Sequence, residues 1–297
     1  MEKTTVSVGI CAFNEESNIA KLLESTINQD LKKIQIIEII VVSSASTDMT
    51  DSIVESFVEK DSRISLVKED ERRGKASAVS IFLSKAKGEI CIIQSADTIS
   101  YPDTIENICL PLIENPEVGA VGGQPIPILG KVWFVNFAVS LIWSLHHEMS
   151  SKYPKLGEIS AHRNIIPGIP VDAQPDDSYI EYVFKKKGYQ IAYAPEAKIR
   201  NMGPQNISEY LNQRSRVRGH QIRLRKQTGH VTASGKHPSV LLAVAKRCMT
   251  KPWQIPIIFP VCLLELIALR RGTKQANSED GVIIWDRLPS TKDLNQS

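Results

Sequence analysis

An α/β fold of three layers, with helices on both faces of a mostly parallel sheet, follows from three features of the first 120 residues. Apolar periods of two and of 3.6 residues alternate four times. The strand-like runs are continuous and β-branched, as in strands covered on both faces. Short polar segments follow each of them, and strands alternating with helices at this spacing argue for βαβ units.

Residues 5–10 read as the first strand, and residues 15–28 then place Ile19, Leu22, Leu23 and Ile27 on one helical face, with Asn14 as N-cap. The run 36–42 is a strand; Ser46 or Thr47 can cap a helix over 49–59 whose apolar face is Ile53, Val54, Phe57 and Val58. A third strand (64–67), a third helix (75–87, ending at Gly88) and a fourth strand (89–94, EICIIQ) follow. Pro102 fits the first helical position before 104–114. From Val118 the rhythm breaks, because glycines and prolines crowd 119–130. Beyond lie an apolar helix-like run, a short loop-rich stretch (155–177), a helix over 179–187 stopped by Gly188, a strand over 190–194, and a long basic helix over 206–226.

The chain has 297 residues, enough for one large domain or two modest ones. At 42% hydrophobic and 23% charged it is neither disordered nor collagen-like. Thirty-six Lys and Arg against 33 Asp and Glu give +3, which does not imply nucleic acid as a partner. The charge is unevenly placed, since residues 210–264 hold ten Lys or Arg and no acid. Five cysteines with neither CxxC nor finger spacing suggest reduced thiols in the cytoplasm. The N-terminus shows no signal-peptide pattern, and no apolar run reaches the ~18–20 residues of a membrane span. Two come near: 132–145 (VWFVNFAVSLIWSL) and 255–269 (IPIIFPVCLLELIAL). Trp133, Trp143 and Trp253, with Lys246, Arg247, Lys251, Arg270 and Arg271, flank them as interfacial anchors would. Peripheral contact with the inner face of a cell membrane is therefore expected.

In an open α/β sheet, ligands bind outside the carboxyl ends of the strands. Those ends are followed here by Cys11-Ala12-Phe13-Asn14-Glu15, Ser43-Ser44-Ala45-Ser46-Thr47-Asp48, Asp70-Glu71-Arg72-Arg73-Gly74-Lys75 and Ser95-Ala96-Asp97-Thr98. In this order the four segments resemble the nucleotide-binding half of family 2 glycosyltransferases of the GT-A fold. The matches are Phe13-Asn14-Glu15, Ala45-Ser46-Thr47-Asp48, Gly74-Lys75 and Ser95-Ala96-Asp97, then the acidic pair Asp176-Asp177 and the Gln-x-x-Arg element Gln213 to Arg216. Each motif alone is weak; six in order are specific, and they cover most of the chain.

The resemblance implies a GT-A domain over 1–230, with a Rossmann-like donor-binding half (1–120) and an acceptor half (121–230), and a C-terminal helical extension (231–297) that is apolar and basic. It implies inverting transfer from a nucleoside-diphosphate sugar, UDP-linked, to a hydroxyl of a glycan or lipid-linked acceptor. Phe13, Asn14, Glu15, Ser44, Lys75, Ser95 and Asp97 would hold the donor, with Asp97 on a divalent Mg or Mn ion. Asp177 would be the general base, and Asp176, Gln213 and Arg216 would serve the acceptor or the diphosphate. Arg214 and Arg218 lie on the same helix and could add to that set. Asp48 fits a helix cap, and Asp177 or Ser178 also fits as the cap of a helix from Tyr179.

The departures are informative. Ser43 and Ser44 stand where the family often has acids, and Ser95 where the first Asp of the metal motif would be. One carboxylate would then need help, for instance from His146, His147 or His220. Val217 replaces the aromatic that follows the family's Arg, so processivity is not implied. Two rivals remain: transfer to a polyprenyl phosphate, which needs no base, and a sugar-nucleotide binder that has lost catalysis.

Overall fold

The computed structural model describes residues 2–232 and 237–277. Of the C-terminal extension expected over 231–297, residues 233–236 and 278–297 lie outside the described residues. In chain order the elements are β1 (Thr4–Ala12), α1 (Ile19–Ile27), β2 (Ile34–Ser44), α2 (Thr50–Val58), β3 (Ile64–Glu69), α3 (Lys75–Lys85), β4 (Ile90–Ser95), β5 (Thr98–Ser100), α4 (Thr104–Glu114), β6 (Val118–Ile128), α5 (Trp133–Lys152), β7 (Ile159–Arg163), α6 (Asp176–Lys186), β8 (Gln190–Met202), α7 (Ile207–Thr228), α8 (His237–Thr250) and α9 (Ile255–Asn277).

Among the described residues the strands form one sheet of eight in the order β3-β2-β1-β4-β7-β6-β8-β5. The first four run parallel. Then β7 enters antiparallel between β4 and β6, β6 and β8 pair in parallel, and β5 closes the edge antiparallel to β8. The sheet is therefore mixed, its parallel part being the first half of the chain. Continuous apolar runs are buried on both faces, as expected. Ile39, Val41, Ile90 and Ile92 face α1, α2 and α4, whereas Ile40, Val42, Cys91 and Ile93 face α3 and α6.

Gly9 on β1 shows how closely a helix lies on this sheet. A Cβ there would fall inside the buried ring of Phe82 on α3. Gly9→Ala is expected to destabilise the protein by ~1–3 kcal/mol through overpacking, read from the midpoint of urea unfolding.

Several local expectations are corrected. Helix α1 starts at Ile19, so Asn14 is not its cap, and neither Ser46 nor Thr47 caps α2. Pro102 lies ahead of α4, whose N-cap is Asp103. Helix α6 begins at Asp176, three residues earlier than read. The largest miss is β6, an eleven-residue strand where glycines and prolines suggested a break. A Cβ at Gly122 would strike the Lys155 carbonyl, and one at Gly123 would come within 2.7 Å of the Ala197 carbonyl. Pro125 and Pro127 lie beyond the three residues that pair with β7, where β6 has a ladder only with β8. A proline there deprives no second strand of a donor.

Helix α7 is well delimited. The Asn206 side chain accepts from the Glu209 amide at 2.9 Å, the Glu209 carboxylate accepts from the Gln205 amide, and Gly229 ends the helix at φ 73°. Helices α5, α7, α8 and α9 enclose a third apolar cluster around Leu141, Tyr210, Ile258 and Val261. Glu265 of α9 ties the group together: it accepts from Arg214 at 2.7 and 2.8 Å, from Arg218 at 3.1 Å and from the Tyr210 hydroxyl at 2.9 Å. Although burial alone would raise it, these partners hold its carboxyl down at about 2. Nearby, α7 and α9 cross backbone to backbone, and a Cβ at Gly272 would sit 2.6 Å from the Ser215 carbonyl and 2.8 Å from the Gly219 nitrogen.

Candidate functional site

The carboxyl ends of β1, β2 and β4 lie side by side, with Cys11 paired to Val42 and Ser95. Two of the turns that leave them are zipped together. Asn14, at φ 52°, accepts from the Thr47 amide at 2.7 Å and donates to the Thr47 hydroxyl at 3.2 Å, and its own amide donates to the Ser46 hydroxyl. The Glu15 amide donates to Thr50 Oγ1 at 2.7 Å, and the Glu15 carboxylate is buried and accepts from Asn18. The side chains of Asn14 and Glu15 thus brace one turn against the next, and what this stretch offers a ligand is backbone and the Phe13 ring. The guanidinium of Arg72 stacks on that ring, 3.8 Å from its centre. Asp48 accepts from the Thr50 amide and hydroxyl and so steadies the start of α2. Ser44 is buried at the β2 end, and its hydroxyl has no hydrogen-bond partner among the described residues.

Lys75, the first residue of α3, follows Gly74, whose φ of 89° favours glycine. Its ammonium lies 3.2 Å from Asp176 Oδ2 and so bridges the two halves of the chain. Burial works against the charge, but the fields of Asp176, Glu158 and Asp177 outweigh it and raise the Lys75 pKa. Cys11 is close by, its thiol pushed up to about 12 chiefly by burial, so it stays protonated and is no nucleophile.

Next to Asp176, Asp177 lies in the first turn of α6 and accepts from the Ser178 amide at 2.7 Å. Its carboxyl is raised by burial first and by the charge of Asp176 second. Asp97 is raised by burial too, against the opposing pull of Lys75 and Arg216.

Sequence reasoning takes residues 157–163, Glu158 among them, as resembling the family's acceptor-side strand, but gives Glu158 no role. Strand β7 runs antiparallel to β4 with Ile159 opposite Gln94. Glu158, the residue before β7, therefore reaches the end of β4, where Ser95 stands. Burial and the neighbouring Asp97 push its carboxyl up to about 7. The acidic side chain at this position was the available signal, but its use depended on the direction of β7. Lys155 was missed likewise; burial brings its ammonium down to about 8 against the attraction of Asp177.

Of the predicted arginines, Arg216 stays in the cleft, within the field of Asp97 and Glu158. Arg214 and Arg218 do not, because both are turned to Glu265. Gln213 is half-buried on the same helix. The histidines do not gather at Asp97. His147 bonds the Tyr193 hydroxyl at 2.9 Å, and His146 is kept neutral by burial and by Lys155. His220 lies nearer, in the fields of Arg216 and Asp176, and burial lowers it to about 4. Among the described residues no group of three or more His, Cys, Asp or Glu is arranged to hold a metal ion. Asp97 and Glu158 are hard oxygen donors that suit Mg or Mn, provided a bound diphosphate and water complete the shell.

The sequence profile described as glycosyl transferase family 2 matches residues 7–160. An uncharacterized glycosyltransferase of Haemophilus influenzae is 34% identical over 117 residues, 39% of this chain and 35% of that protein. A poly-beta-1,6-N-acetyl-D-glucosamine synthase of Staphylococcus epidermidis is 23% identical over 89% of this chain and 65% of its own length. The chain thus spans about a third of the first relative and just under two thirds of the second. Among solved structures, a mannosyltransferase of Pyrobaculum calidifontis, in complex with GDP-Man and Mn2+, superposes with a TM-score of 0.68 at 23% identity, over 94% of this chain and 88% of that one. GalNAc-T7, solved with UDP, GalNAc and Mn2+, gives 0.53 at 16% identity, over 67% and 43%. These likenesses establish the GT-A fold.

Proposed function

Because this chain belongs to glycosyl transferase family 2, we propose that it transfers a sugar from a UDP-sugar, with inversion, to a hydroxyl of a glycan or lipid-linked acceptor at the cytoplasmic face of a membrane. The observation that carries this reading is that Lys75, Asp97, Glu158, Asp177 and Arg216, from five separate segments, lie within one another's electrostatic fields at the carboxyl ends of the parallel strands, where Lys75 meets Asp176 at 3.2 Å.

In this reading the nucleoside lies along the Phe13 to Glu15 backbone, with Ser44 and Ser95 as further hydroxyl partners. Lys75 and Arg216 donate to the diphosphate. Asp97 and Glu158 hold a divalent ion, Glu158 standing in for the carboxylate that Ser95 lacks. Such an ion would neutralise the charge that grows on the departing diphosphate. Asp177 takes the proton of the acceptor hydroxyl as it attacks the anomeric carbon; burial and Asp176 raise its basicity toward the useful range. Asp176 holds Lys75 in place, and Gln213 lines the acceptor side.

A second reading, transfer to a polyprenyl phosphate, is favoured by Lys155 beside Asp177, a cation suited to an anionic acceptor. The residues 1–230 would form the catalytic unit in either case. Incubation with a panel of UDP- and GDP-sugars and Mn2+ tests the enzyme against a mere binder: slow release of free UDP from one donor is expected. Tight binding of UDP-sugars with no release over many hours would favour a protein that has lost catalysis.

A further inference from the structure

Helices α8 and α9 each carry an apolar face on which nothing packs among the described residues. On α9, Ile255, Phe259, Leu263 and Leu266 recur at spacings of four, four and three, so they form one outward row, and Phe259 is 74% exposed. On α8, Leu241, Leu242 and Met249 are likewise exposed, and Trp253 projects from the short turn between the helices. Lys251, Arg270 and Arg271 border this face, with Lys246 at 3.7 Å from Glu148 of α5, and the one acid in residues 237–277 is Glu265. That residue faces inward, held by Arg214, Arg218 and Tyr210.

From these observations we infer that the α8–α9 hairpin lies in the plane of an anionic bilayer surface, its apolar row in the lipid and its cations among the headgroups. The inference deepens the membrane-surface part of the proposed function and rests on it, but not on the chemistry of the cleft. By length and composition the stretch Pro252–Asn277 could instead cross a bilayer. Its inner face argues otherwise, because crossing would strip Glu265 from two arginines and separate the backbones that touch at Gly219 and Gly272. A carboxylate carried into lipid without a partner, with two half-buried guanidiniums left unpaired behind it on α7, is strongly disfavoured. A second copy of the chain is a poorer occupant, since a two-fold contact sets the same cationic border against itself. The tryptophan at the turn and the cations around an apolar row match an interfacial helix pair. The seat would also be coupled to the cleft, because the Glu265 contact joins α9 to the helix that carries Arg216.

The full chain should float with vesicles of phosphatidylcholine and phosphatidylglycerol, float poorly with phosphatidylcholine alone, and be released by high salt. Comparison with Trp253→Phe should show Trp253 fluorescence quenched by lipids brominated near the headgroup and not by those brominated near the chain end. The triple variant Phe259→Ser, Leu263→Ser, Leu266→Ser should weaken vesicle binding by about 100-fold or more while its UDP affinity in Mn2+ is unchanged. Retention in membranes of expressing cells after alkaline carbonate, with deep quenching, would overturn the inference in favour of a spanning helix. Failure to bind any vesicle, with a concentration-dependent dimer in sedimentation, would overturn it in favour of a second copy. Loss of UDP binding in the unaltered chain would count against the proposed function and not against the hairpin's seat.

Discussion

Asp177→Asn should lower transfer to a hydroxyl acceptor by about 10²–10⁴-fold, the usual contribution of a positioned general base, and leave UDP affinity unchanged. The substitution is a fair probe because the amide oxygen of Asn can still accept from the Ser178 amide, as Asp177 Oδ1 does at 2.7 Å. The start of α6 is thereby preserved while the proton acceptor is removed. The effect should fall on kcat, since the proton moves only in the transition state. If the acceptor is a polyprenyl phosphate, its oxygen is already an anion and Asp177→Asn would retain transfer. Single-turnover rates with the two acceptor classes therefore separate the readings. Asp176→Asn should behave differently: it frees Lys75 from its 3.2 Å partner and should alter donor affinity as well as rate.

Asp97→Asn and Glu158→Gln should each weaken Mn2+-dependent UDP binding by at least about 10–100-fold, the cost found for losing even an outer partner of a metal ligand. Calorimetry with Mn2+ and with EDTA provides the measure. In either variant the two titrations should nearly coincide, because what remains is the binding that Lys75 and Arg216 supply without the ion. Ser95→Ala should have a much smaller effect, since in this account the carboxylate that the family places there comes from Glu158. An unchanged difference between Mn2+ and EDTA in Glu158→Gln would remove Glu158 from the donor site. His146→Ala and His147→Ala should leave the difference intact, as both rings are engaged around Tyr193 and Lys155.

The parallel half of the fold was legible because its signals are local. Runs such as residues 36–42 are buried on both faces and read as strands without knowledge of their neighbours. Of the antiparallel insertion, only the resemblance of residues 157–163 to the family's acceptor-side strand was legible, not its direction or its neighbours. Strand β7 is short, and β6 is rich in glycine and proline for reasons that lie in other segments: the Lys155 carbonyl against Gly122, and an open ladder edge at Pro125 and Pro127. The candidate site divides in the same way. Lys75, Asp97, Asp177 and Arg216 sit in motifs of fixed local spacing and were named from the chain alone. Glu158 and Lys155 enter only through the direction of β7 and the path of the loop before it. Asn14 and Glu15 show the converse limit, since their motif is real but their side chains brace two turns. Arg214 and Arg218 share the helical repeat of Arg216, yet a single acid on α9, some fifty residues away in sequence, draws them out of the cleft.

Crystals soaked with UDP and Mn2+, read by anomalous scattering at the manganese edge, decide whether Asp97 and Glu158 share a metal ion. One strong peak is expected about 2.0–2.2 Å from carboxylate oxygens of both residues, with the diphosphate reaching Lys75 and Arg216 and the uracil along the Phe13 to Glu15 backbone. A manganese bound away from these two carboxylates, or UDP lodged outside the cleft at the carboxyl ends of β1, β2 and β4, would contradict this arrangement.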